Sequence, residues 1–201
     1  TLAVMPFEDS VARGTLDWVP LGSALPLVAA PVAAAAGLVP SAEVAVIDAE
    51  FADTAAFCAA YRVAPEASAN CVVLEGRRGE RVVRAAVLVL AVDRADVNGV
   101  IRRQLDVRKL SFMGQPAAEE YTGMRQGGIT PIGLPADWRI LVDHAVLDAG
   151  VVVVGAGVRG AKLLVEAREL AALPGAEVPA HEPLPEPLPG EGVSYEGDIG
   201  G

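Results

Sequence analysis

Gly-Met-Arg-Gln-Gly-Gly-Ile-Thr-Pro-Ile-Gly-Leu-Pro, residues 123–135, is the stretch on which the reading of this chain turns. Four glycines and two prolines fall within its thirteen residues, in a chain that is 52% hydrophobic. Such a segment continues neither a helix nor a central strand. Proline lacks the amide donor, and glycine loses the most backbone entropy on ordering. Adjacent glycines let main-chain N–H groups approach a ligand closely, Thr130 adds a hydroxyl, and Pro131 fixes the backbone at the loop's end. Composition alone fits an ordinary wide turn equally well, so the flanking chain decides.

Working outward, Trp138–Asp143 reads as a strand on one side, and Pro116–Thr122 as a short helix closed by Gly123 on the other. Further upstream, Asn70–Glu75 and Val82–Asp93 read as strands joined by the turn Gly76–Glu80. The second is a near-continuous apolar run, as expected of a central strand buried on both faces. Asp96 opens a helix with Val97, Val100, Ile101 and Leu105 inward, and Val107–Phe112 follows as a short strand. Leu21–Val39 reads as helix in two pieces, Glu43–Asp48 as a strand, and Asp53 or Thr54 as the cap of a short helix. Downstream, a turn at Asp148–Gly150 leads to the strands Val151–Val154 and Ala161–Val165, then to a last helix over 166–173. The sum is an α+β domain with about seven strands and short helices. Its order is not a βαβ alternation, which disfavours a doubly wound sheet.

Composition sets the outer limits. At 201 residues one domain with extensions is expected. It comprises an N-terminal arm (1–21), a body (22–177) and an acidic Pro/Gly-rich tail (178–201) that cannot bury enough apolar area to order itself. The longest apolar run, 24–39, is broken by Pro26 and Pro31 and is too short to span a bilayer, so no membrane partner is expected. Two isolated cysteines, Cys58 and Cys71, suit a reducing cytoplasm. A net charge of −10 argues against a general DNA binder, although the tail holds half of that charge. Two arginine clusters (Arg77, Arg78, Arg81, Arg84; Arg102, Arg103, Arg108, Lys109) leave room for a basic face toward an RNA end.

Gly155-Ala-Gly-Val-Arg-Gly160 fits the GxGxxG dinucleotide fingerprint. That motif must open a helix, whereas the residues after it read as a strand, so a tight glycine hairpin is expected instead of a nicotinamide site. His144 and His181 are too scattered for a metal site, and no serine stands in a nucleophile elbow.

Taken in order, these pieces resemble the YbaK/EbsC family of aminoacyl-tRNA deacylases, also described as the ProX-like or prolyl-tRNA synthetase editing domain. The likeness rests on 69–74 (Ala-Asn-Cys-Val-Val-Leu), 96–98, 107–109, 122–124, 127–135, 142–143 and 155–160, within about 22–177. It implies a mixed, barrel-like sheet with helices packed outside. It also implies hydrolysis of the ester joining a mischarged amino acid to the terminal ribose of tRNA. The partner would be the tRNA 3′ aminoacyl end, with no cofactor, no metal and no protein nucleophile, and a homodimer is allowed. A positioned water would attack while backbone amides stabilise the oxyanion. Asn70 and Asp143 would be the catalytic residues. Gly127, Gly128, Thr130, Pro131, Gly155, Gly157 and Arg159 would bind substrate. Asn70 stands where such sequences usually carry lysine, and a neutral amide cannot supply that charge. A non-catalytic binder of aminoacyl-tRNA or an amino-acid ester is therefore the alternative.

Overall fold

The computed structural model describes residues 10–179, so the start of the N-terminal arm (1–9) and most of the acidic tail (180–201) lie outside the described residues. Among the described residues nine strands form two sheets, where about seven were expected. Sheet one runs β1 (Val19–Pro20), β2 (Glu43–Val46), β8 (Ala161–Glu166), β7 (Val151–Gly155), antiparallel throughout. Sheet two runs β5 (Lys109–Phe112), β3 (Ala69–Arg78), β4 (Arg81–Leu90), β6 (Arg139–Val142), β9 (Ala176–Glu177), with β6 parallel to its two neighbours. The α+β reading holds, but the barrel does not close. A single parallel bridge, Ser68 to Val153, joins the sheets. Beyond Leu74 the free edge of β3 is taken by β5, so β7 touches only the start of that strand.

The apolar pattern explains the layers. β4 is buried from Ala85 to Leu90 because both of its faces are covered. Leu88, Leu90, Ile140 and Val142 meet Val44, Val154, Leu163 and Val165 in the core between the sheets, under α1 (Ala30–Ala34) and α6 (Ala167–Ala171). On the outer side, α2 (Thr54–Tyr61) lays Phe57 and Cys58 on Ala45, Val153 and Leu164. A π-helical turn (Val97–Ile101), continued by α3 (Arg102–Gln104), lays Val97, Ile101 and Leu105 on Val87, Val89 and Leu141. Asp96 caps that turn by accepting from the Gly99 and Val100 amides.

Several elements depart from the sequence reading: β1 was not expected, and over Leu21–Val39 only α1 is an α-helix, the other pieces being single 3-10 turns. Residues 144–148 form α5 rather than leading straight into a turn, and Asp143 caps it by accepting from the Ala145 amide at 2.8 Å. β9 is only two residues long and exists through its neighbour β6. α4 (Gln115–Thr122) ends at Gly123 as expected, with φ +67° there. No helix among the described residues is long and apolar enough to cross a membrane.

Candidate functional site

The GxGxxG string is a hairpin. Residues 156–160 turn the chain from β7 into antiparallel β8, so no helix N-terminus stands there to hold a pyrophosphate. The turn instead locks onto the glycine stretch. The Gly157 amide donates to the Gly128 carbonyl at 2.7 Å, and the Arg125 amide donates to the Gly157 carbonyl at 2.8 Å. The approach is close enough to demand glycine. A Cβ on Gly155 would stand 2.2 Å from the Gly128 carbonyl oxygen, and Gly157 has φ +78°.

A third segment, 49–54, joins them. Arg159, exposed, donates to the Ala49 carbonyl at 3.0 Å and to the Gln126 carbonyl at 3.3 Å, clasping this segment to the glycine stretch. A Cβ on Gly127 would meet the Ala52 side chain at 3.8 Å. Thr54, two residues on, donates its hydroxyl to Asn70 Oδ1. The glycine stretch, the hairpin turn and Asn70 thus converge on residues 49–54.

Register extends this convergence across the sheets. The bridge Ser68–Val153 is parallel and isolated, and its register continued by two residues sets Asn70 opposite Gly155 with no ladder pair between them. Gly155 pairs with Lys162 on β8, and Asn70 pairs with Val89 on β4. Leu88 pairs with Val142, and the Asp143 amide donates to the Leu88 carbonyl, which puts Asp143 level with Val89. Lys162, Gly155, Asn70, Val89 and Asp143 therefore form one row on five neighbouring strands or their ends. Directly paired residues project to the same side, and that side is the outer face under α2 and the π-helical turn. At roughly 4.8 Å per strand, Asn70 and Asp143 stand about 10 Å apart.

A cavity of about 380 Å³ opens on this face beside the row, floored by Val87, Val89 and Leu141, with Asp143, His144 and Arg94 on its walls. Asp143 is exposed and one of its carboxylate oxygens is already used in capping. The Gly128 amide donates to the Arg125 carbonyl, so Gly128 and Gly157 spend their donors inside the protein. The Gly127, Ile129 and Thr130 amides have no protein acceptor among the described residues. Pro131 and Thr130 are buried, and the Thr130 hydroxyl has no hydrogen-bond partner.

Lys162 was not singled out in the sequence. It is 7% exposed, donates to the Ala52 carbonyl at 2.9 Å, and lies 5.1 Å from the Phe57 ring centre. Burial pushes its pKa down to about 8, partly offset by Cys58 and Asp53. The signal was a lone lysine inside the apolar run Ala161–Val165, a pattern that marks a buried and paired charge.

The fold is an open α+β arrangement of two sheets, and the row crosses from one sheet to the other. Over residues 48–173, more than half of the chain and all nine of the predicted site residues, the sequence matches the family described as the aminoacyl-tRNA editing domain. The chain belongs to that family, of the YbaK type. Among solved structures it is similar to a proposed trans-editing enzyme for prolyl tRNA synthetase. That match has 24% identity and a TM-score of 0.59, over 67% of this chain and 82% of that one. It is similar also to a hypothetical protein at 22% identity and a TM-score of 0.60, over 67% and 87%. These likenesses concern the fold. No curated protein matches the sequence.

Proposed function

We propose that this protein hydrolyses the ester of a mischarged aminoacyl-tRNA in trans, with the ester carbonyl placed over the row that holds Asn70. One observation carries the reading: the two glycine segments meet residues 49–54, whose Thr54 holds Asn70. An acyl ester needs a preorganised donor for the developing oxyanion and a water on the opposite side. The donors for it would be the Gly127 amide, which has no protein acceptor among the described residues, and the NH₂ of Asn70, whose amide oxygen is occupied by Thr54. Asp143 orients the attacking water or holds the substrate's ammonium. Arg159 retains donors beyond the two it spends on the loops, and these suit the terminal ribose or its phosphate. Thr130, Pro131, Gly128, Gly155 and Gly157 shape the wall.

Purified protein mixed with a panel of mischarged tRNAs should release amino acid faster than buffer, and Asn70→Ala should slow that release at least tenfold. Release no faster than buffer across the whole panel would end the hydrolytic reading. The binding-only alternative is separated by Asn70→Lys: turnover that appears only in this variant makes the natural chain a binder.

A further inference from the structure

A track of arginines runs along the outer face that carries the row. Arg94 stands on the wall of the cavity. Arg102 and Arg103 are exposed in α3, which lies over the same face. Arg78, Arg81 and Arg108 end the track at the tip of the β3–β4 hairpin, all exposed. Arg78 pairs directly with Arg81 across the strands, so two like charges face one another. Directly opposed like charges in a sheet are destabilising, and nothing in the fold requires them. Asp106 answers both, but Arg108 has no ion pair among the described residues. Acids share this face, with Asp93 and Asp96 lining the cavity beside Arg94, so the cationic surplus lies at the hairpin tip, where Arg78, Arg81 and Arg108 stand around the single carboxylate of Asp106.

We propose that this track holds the phosphate backbone of the tRNA acceptor end while the aminoacyl ester sits at the row. The proposal rests on the deacylase reading for the position of the ester, and its geometry is consistent with it. Arg78 lies eight residues along β3 from Asn70, about 27 Å at roughly 3.4 Å per residue. Phosphates recur about every 3.4 Å along a stacked strand, so the hairpin tip meets the backbone about eight nucleotides from the ester. The cations are guanidinium groups, which grip phosphate oxygens with two parallel donors.

The test is binding of uncharged tRNA to the full chain as a function of salt, compared with the triple variant Arg78→Gln, Arg81→Gln, Arg108→Gln. Losing three phosphate contacts should lower the slope of log affinity against log salt by about 2, at roughly 0.7 per contact. At moderate salt affinity should fall more than tenfold. A thermal midpoint no lower than that of the native chain shows the variant folded. The pair Arg94→Gln, Arg102→Gln, on a different element, should lower the slope by more than 1. Unchanged slopes in both variants would overturn the proposal. Hydrolysis of aminoacyl-adenosine, too short to reach the hairpin, separates the two claims. If the native chain fails on it and on every mischarged tRNA while the slopes still drop, the deacylase reading falls and the RNA surface stands.

Discussion

At the scale of single residues, the most telling is Thr130. Its hydroxyl is fully buried and has no partner, an arrangement that costs about 1–3 kcal/mol wherever nothing bonds to it. A fold selected for stability alone would place valine there, which has the same shape without the polar atom. Thr130→Val should therefore leave stability unchanged or raise it by about 1 kcal/mol, as read from a urea midpoint at constant slope. If the hydroxyl serves the proposed site, deacylation should fall in the same variant. A loss of stability with activity intact would show that the hydroxyl serves the fold. Asn70 was legible in the sequence as the start of a strand, from the apolar run Cys71–Leu74 that follows it. Its partner Thr54 was legible only as a helix cap, since a hydroxyl's choice between cap and distant amide is made by tertiary structure.

At the scale of elements, β8 and the 49–54 segment are tied by Lys162. Its ammonium is protonated at a lower pH than usual because burial disfavours the charge. Between about 8 and the ordinary value of 10.5 the unfolded chain binds more protons at this site than the folded one. Stability from this group therefore rises with pH through that window and is constant below it. The Cys58 and Cys71 thiols, held high by burial, pull the opposite way above their ordinary value of 9.0. Comparing the native chain with Lys162→Met cancels Cys71, and keeping below 9.0 avoids the titration of Cys58, whose charge is coupled to Lys162. The native chain should gain stability relative to the variant between pH 7.5 and 9, and a difference that does not change with pH would contradict the assignment.

Elements also show what local pattern carries. The β3–β4 hairpin and the β7–β8 hairpin were readable because strand-forming runs flank glycine turns, and because a strand rather than a helix follows Gly160. α5 was not, since five residues supply too little periodicity and its start signal, Asp143, was read as a strand end. β9 has no signal of its own at two residues. The closed barrel failed for a reason beyond any local window: β5 occupies the edge of β3 that closure would need.

At the scale of the molecule, the site belongs to the seam between the sheets. Four strands and the residue that follows β6 each contribute one member of a row, and two glycine segments from distant parts of the chain lock against one another beside it. The glycine segments announced themselves by composition. The row did not, because it depends on one bridge between Ser68 and Val153 that sets the relative level of the two sheets. Lys162 entered the site by that same bridge. On the proposed reading the acyl ester lies over this row, bounded by residues 49–54 and 127–130. Amide hydrogen exchange with a non-hydrolysable aminoacyl-adenosine amide tests it most directly. Slowed exchange at 49–54, 127–130 and 155–159 is the predicted result, and protection confined to other segments, with these three unchanged at saturating ligand, would contradict it.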